Sequence, residues 1–582
     1  MARLLLSQKT ITVGIIFLLM GIHFLPAQTE TPNKIRINGL GRAIIDNTEL
    51  GGTVAETDTT TALNLMEGEF LLDLKINAAP NENTEVQSIL RLRNEFGGFF
   101  GSGMSIEVRE LFARGVVANI IRYHVGDMDL KMTPFTLYQV EEEGTVNEAE
   151  IFKARKEVVN YEQFYHGDGT RRMQGGKVDF GLSAGSIFPE VNISGFFTRV
   201  RGTDFFTLPT RAVAGGNVEL INPRWGKLSG NYINTYDVLS VGGFTSGIRN
   251  GVQTLAANIN ILKKEKMDLS FKGEMGRSSL REVEGDSAIF DKDDTFAEGF
   301  VSLNLKPQNL TINLGFRDVG PDFFSIGAQS KRVDFERSRT FYNRIGNSRS
   351  VRATSLFDLN RDRAIYTYGL SDVLMPYDIR LSNAMPYGKA TPNRRGVIAE
   401  VNYEKENGWI DGGLSFAQLS EIRGQGTFEL KSFTLVRLQA NAHLNQLLNS
   451  EKALTLTLGG QLEQTRRGGE AIEQVDLNST LIETGLQAEL FKGFDVLLGA
   501  KILSSAGSDY APDIVRFNVV RDFPGRVEVD DNETLLGAGI RYRFKEGVYL
   551  TIQWNQFSFA RATNPANDYR IDQAFILYNM NF

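Results

Sequence analysis

A chain of 582 residues with 58 glycines, 15 prolines and no cysteine has neither disulfides nor thiolate metal ligands at its disposal, so packing and strand pairing must hold it together. Its net charge of -7 argues against a nucleic-acid partner. Mean hydropathy is -0.20 and no run of about eighteen apolar residues follows the amino terminus, so if the chain crosses a membrane it does so with strands.

In chain order, Arg3 and Lys9 flank a short basic region, residues 11–24 are mostly apolar, and Leu25-Pro26-Ala27 precedes Gln28. This pattern reads as a secretory signal peptide over residues 1–27, cleaved after Ala27. No cysteine follows that could carry a lipid. Residues 28–582 contain no Pro/Ser-rich linker or break in composition, and we read them as one large barrel rather than the several domains that length alone suggests. The first expected strand begins at Ile35, which leaves no room for an amino-terminal plug domain and argues against a TonB-dependent receptor. Further expected strands in this half cover residues 35–45, 69–78, 85–94, 105–113, 119–126, 176–184, 192–200 and 211–220.

Two long connections interrupt the series. Residues 131–170 carry Glu141, Glu142, Glu143, Glu148 and Glu150 and then Tyr161, Phe164 and Tyr165, a composition that suits an extracellular cap better than a sugar-binding slide. Residues 318–394 hold Lys331, Arg332, Arg337, Arg339, Arg344, Arg349 and Arg352 against only Asp334 and Glu336. Long loops of this kind are usually functional or disordered. Folded into a pore, those seven cations would form a constriction selecting anionic solutes; left outside, they would pair with lipid phosphates or another protein. Both readings stay open.

From about residue 236 onward the period-two pattern is strong. Leu454, Leu456, Leu458 and Leu462 alternate with Thr455, Thr457, Gly459, Gln461 and Glu463, and Leu536, Ala538, Ile540, Tyr542 and Phe544 oppose Gly537, Gly539, Arg541 and Arg543. Such alternation puts one face to lipid and the other to a lumen. Arg437, Glu483, Arg541 and Arg543 fall on the lumen parity, and their mixed charge suits water or hydrophilic solutes. Short polar turns at residues 263–266, 306–309, 404–408, 449–452, 492–493 and 545–547 alternate with connections that are usually longer, placing these turns at the periplasmic end. Phe494, Phe544, Tyr403 and Phe582 lie beside them on the lipid parity, as an interfacial aromatic girdle does. The count comes to roughly 22 strands, an even number within about 16 to 24.

Signals for chemistry are weak. His124, His166 and His443 lack a nearby nucleophile pattern, Asp291, Asp293 and Asp294 lack the glycine and closing glutamate of a calcium loop, and no cofactor motif occurs. We expect no enzyme, no cofactor and no metal site.

The chain ends in a strand that places Ala574, Ile576, Tyr578, Met580 and Phe582 on one face. With the signal peptide and the alternating hairpins, this aromatic terminus resembles the outer-membrane β-barrel superfamily of diderm bacteria, porins among them. The resemblance implies an all-β fold with a single antiparallel transmembrane barrel, residence in the outer membrane, and Tyr578, Met580 and Phe582 as the signal read by the barrel-insertion machinery. It implies outer-membrane lipid as a partner, together with a small hydrophilic solute or the proteins of an envelope complex. The leading functional expectation is a porin-like channel for hydrophilic solutes, anionic ones if the basic loop lines the pore. The alternative is a non-conducting barrel subunit of an assembly, secretion or adhesion complex.

Overall fold

A computed structural model describes residues 34–57, 63–96, 103–284, 287–337, 342, 352–511, 514–515, 519–520 and 525–582. The expected signal peptide, residues 1–27, lies outside the described residues.

Twenty-two strands form one antiparallel sheet. The first strands are β1 (Lys34–Gly51), β2 (Asn64–Asn81), β3 (Thr84–Glu95), β4 (Met104–Val117), β5 (Ile121–Leu130), β6 (Arg171–Ala184), β7 (Phe188–Arg201) and β8 (Thr210–Asn222). They are followed by β9 (Gly226–Val238), β10 (Ser246–Lys263), β11 (Met267–Glu284), β12 (Ser287–Leu305), β13 (Leu310–Val319), β14 (Arg394–Tyr403), β15 (Ile410–Ser420) and β16 (Ser432–His443). The last are β17 (Leu454–Arg467), β18 (Val475–Phe491), β19 (Phe494–Ala511), β22 (Gly525–Lys545), β23 (Val548–Arg561) and β24 (Tyr569–Asn581), while β20 (Ile514–Val515) and β21 (Val519–Val520) make a separate small hairpin. Each barrel strand pairs with the next, and β1 pairs with β24 in a register that sets Ile44 opposite Leu577, so the sheet closes and leaves no edge.

The side-chain alternation decides what the closed wall can face. On β18, β19 and β24, Ile482, Leu498, Ile502 and Ile576 are exposed on the outer face, while Glu483, Asp495, Lys501 and Gln573 are buried on the inner one. An apolar exterior around a polar interior is the pattern of a barrel in a bilayer. Strands such as β1, with 18 residues, and β22, with 21, exceed the roughly 9–11 residues a bilayer requires, so the wall continues beyond the hydrocarbon. The six expected short turns all connect hairpins at one end. There Phe491 stacks on Phe494 at 4.5 Å, Tyr542 meets Phe544 edge-on at 4.8 Å, and Phe582 closes the ladder through backbone bonds with Gly39.

The inside is largely occupied. Residues 131–170, between β5 and β6, turn into the lumen and carry helix α1 (Glu150–Glu162). This corrects the expectation of an external cap: Ile151 and Phe152 of α1 are buried against inward-facing wall residues. The connection between β13 and β14 also enters and carries helix α2 (Leu356–Arg361), which packs beside α1. No helix among the described residues is long and apolar enough to cross a membrane.

Candidate functional site

The seat of α1 is a flat patch of wall. Gly485, Gly499 and Gly537 lie side by side on three adjacent strands, in register with one another. A methyl at Gly499 would stand 2.6 Å from Ile151 Cγ2 and 3.0 Å from Phe152 Cε2, and one at Gly537 would stand 3.0 Å from Ile151 Cδ1. Only glycine lets the helix approach this closely. Around the patch, Leu481, Leu497, Leu503, Leu535, Phe557 and Ile571 point inward and join Ile151, Phe152 and Val159 of α1 and Leu356 and Phe357 of α2 in one apolar cluster.

Polar contacts fix the same seat. Glu483 accepts the backbone N–H groups of Val146 at 2.9 Å and Asn147 at 2.7 Å and pairs with Lys501 at 3.1 Å, and Lys501 also reaches Glu148 at 2.7 Å. Arg541 bridges Glu150 of α1, at 2.6 Å, and Asp495 of the wall. Arg543 pairs with Asp495 at 2.9 Å and Glu489 at 3.1 Å, and Arg437 bonds Gln461 at 2.8 Å. Ser355 and Asp358 form a capping box at the start of α2.

The basic residues of the second inward segment take several places. Lys331 is buried on Glu143 and the carbonyl of Pro386, Arg332 on Glu142 at 2.8 Å, and Arg352 on Asp358 through both its terminal nitrogens. Their charges are therefore matched by carboxylates; Lys331 and Arg332 fasten the two inward segments to each other, while Arg352 braces α2 within the second. Arg337 is exposed; Arg339, Arg344 and Arg349 lie outside the described residues. The neighbouring glutamates differ in a way that follows from their partners. Burial pushes both carboxyls up, but Lys156 and Arg332 together bring Glu142 below its ordinary value, whereas Lys331 alone leaves Glu143 raised to about 7.

The adjoining wall, β1 to β7, is held differently. Glu162 at the end of α1 receives Arg42 at 2.7 Å, Arg91 at 2.8 Å and Arg93 at 2.5 Å. Despite burial, these guanidinium groups hold its carboxyl far below the usual range. Asp73 takes Arg91 at 2.7 Å and Arg109 at 2.9 Å, and Arg109 lies over the rings of Tyr161 and Phe164 at 4.0 and 4.1 Å. Two spaces open on this side. One, of about 470 Å³, is lined by Arg91, Arg109 and Arg171 among others; the other, of about 1020 Å³, opens nearer the short-turn end and is lined by Lys75, Gln87, Tyr123 and Lys177 among others. Both touch β3, β4, β5 and β6.

Sequence reasoning did not find Arg42, Arg91, Arg109, Arg171 or the glycine patch. A usable signal existed: Leu481, Leu497, Leu503 and Leu535 are apolar on the lumen parity, which only an internal partner explains. The Gly320-Pro321-Asp322-Phe323-Phe324-Ser325 stretch proves to be an anchor, with Asn250 accepting the N–H of Ile326 and donating to the carbonyl of Phe324, each at 2.9 Å. Asp291 and Asp293 pair with Arg281 and Arg277, and His443 sits on Asp411 at 2.7 Å.

No family model and no curated protein matches the chain. Among solved structures, it is similar to a BenF-like porin from Pseudomonas fluorescens Pf-5, at 10% identity over 94% of this chain and 99% of that one, with a TM-score of 0.34. Pseudomonas aeruginosa OpdQ gives 10% identity, 94% and 98% coverage and 0.33. The outer membrane channel DcaP of Acinetobacter baumannii gives 8%, 95% and 99%, and 0.28.

Proposed function

We propose that the chain is an outer-membrane channel through which hydrophilic solutes diffuse along the β2 to β7 side of the lumen. The observation that carries this reading is the pair of cavities on β3 to β6, both lined by charged and polar side chains inside a closed barrel. Gln87 of the larger and Arg91 of the smaller stand four residues apart on β3, a separation of about 13 Å along the strand. A polar passage there gives a hydrated solute partners at each step, while the apolar seat of α1 closes the β18 to β24 side. Anion preference, on this reading, comes from Arg171 of β6 and Arg199 of β7, which pair with no carboxylate among the described residues, more than from Lys331, Arg332 and Arg352, whose charges are matched.

A second reading is supported by the lumen filling itself: a barrel whose interior is tied together by buried ion pairs also suits a non-conducting subunit of an envelope complex. Planar-bilayer recording of the purified chain in potassium chloride decides between them. Stable conductance steps are expected; their absence across a wide voltage range would leave the structural-subunit reading standing. In a salt gradient, a reversal potential favouring cations would remove the anion preference.

A further inference from the structure

The cavity of about 470 Å³ contains an arginine that the fold does not neutralise. Six arginines line it against three carboxylates, Glu107, Asp127 and Glu162. Arg91 and Arg109 are paired with Asp73, and Arg172 with Glu110 at 2.8 Å. Arg171 is not. It is 2% exposed, its Nε donates to the carbonyls of Tyr138 and Gly327 at 3.1 Å each, and its Nη2 donates to that of Ser330 at 2.8 Å. Its Nη1 is buried without a hydrogen-bond partner. Among the described residues no carboxylate stands within ion-pair distance of Arg171 or of Arg199, which lines the same cavity and is exposed.

A buried guanidinium held only by carbonyl dipoles is costly, and an anion arriving beside it supplies the missing half. Arg171 is also held in place by both inward segments, since Tyr138 belongs to one and Gly327 and Ser330 to the other. The rest of the lining includes Phe164, Tyr368 and Leu370, a surface for a carbon body. The volume lies within the usual range for small-molecule sites. We infer that this cavity is an oxyanion-binding station, in which Arg171 and Arg199 take a carboxylate or phosphate group while the organic part rests on Phe164, Tyr368 and Leu370.

The inference deepens the channel reading and rests on it for the route by which the anion enters, but binding can be measured without conduction. The full chain in detergent is titrated calorimetrically with inorganic phosphate, hexanoate and uncharged hexanamide. Hexanoate or phosphate should bind, hexanamide at least about tenfold more weakly, and Arg171→Gln and Arg199→Gln should each weaken the anion about tenfold. Arg570→Gln, whose parent arginine pairs with Asp572 away from the cavity, should leave binding unchanged. Arg199→Gln keeps the test sound if Arg171→Gln disturbs the inward segments, because Arg199 is exposed and its folding is checked by heat-modifiable gel migration. Equal affinity for hexanoate and hexanamide, no binding of either anion, or wild-type affinity in a folded Arg199→Gln variant would overturn the inference. Binding without conductance steps would instead refute the channel and spare the site, and steps without binding would do the reverse.

Discussion

The two sides of the lumen hold the same inward helix by opposite means. On the β18 to β24 side, α1 lies on a glycine patch among inward leucines and phenylalanines, a contact that excludes water and gains roughly 25 cal/mol for each Å² of apolar surface removed from it. On the β1 to β7 side, the end of α1 meets arginines and carboxylates bordering open space. Ion pairs next to water contribute little net stability, and those fully buried offset most of their attraction with desolvation. The difference teaches that one wall anchors the plug and the other borders open space, which is why the proposed passage is placed along the second.

Breaking the anchored side should have the largest effect. Gly499→Leu drives a side chain into Ile151 and Phe152 and should unseat α1, raising single-channel conductance several-fold in planar bilayers. Unchanged conductance in a correctly inserted variant would mean that α1 does not limit flow. Phe152→Ala removes a fully buried ring without adding bulk, at a cost of about 3–5 kcal/mol to the docked plug. Limited proteolysis should then cut residues 131–170 faster than in the wild type.

Much of this architecture is legible in the sequence because lipid imposes a strict period of two. The strand count, the grouping of the short turns at one end and the outward positions Ile540, Ile552 and Ile576 follow from that period. The plug is less legible, since residues 131–170 obey no lipid constraint and their glutamates look like those of any solvated loop. Glu142 and Glu143 are buried only because Arg332 and Lys331, nearly two hundred residues later, enter beside them. Charge pairing across that distance leaves no local pattern. The inward Leu497 and Leu535 did carry a trace, visible once apolar residues on the wet parity are treated as contacts rather than noise.

Sharpening the hydrated side requires a smaller change. Glu162→Gln keeps the shape of α1 but withdraws the charge shared by Arg42, Arg91 and Arg93, with an expected loss of about 1.5–3 kcal/mol in thermal unfolding. Because Glu162 also lines the smaller cavity, the same variant should shift the reversal potential toward anions. A shift toward cations would place the ion path elsewhere.

The smallest effect is a pH dependence that separates the plug's own fastening from both walls. Burial raises the Glu143 carboxyl from an ordinary value of 4.5 to about 7, so the docked plug binds this proton more tightly than an undocked one. The contribution to docking is complete below about 4.5 and is lost as pH rises through about 7. Lowering the pH from 8 to 5.5 should therefore strengthen docking and reduce the frequency of large-conductance openings, by at most about thirtyfold. Glu142 has the opposite sign, since its lowered carboxyl loses its ion pairs only in more acid solution, below this window. Glu143→Gln, which mimics the protonated state, should show the acid-like opening frequency at both pH values. A variant that keeps the wild-type slope would assign the proton to another group and leave the Lys331 contact with no part in gating.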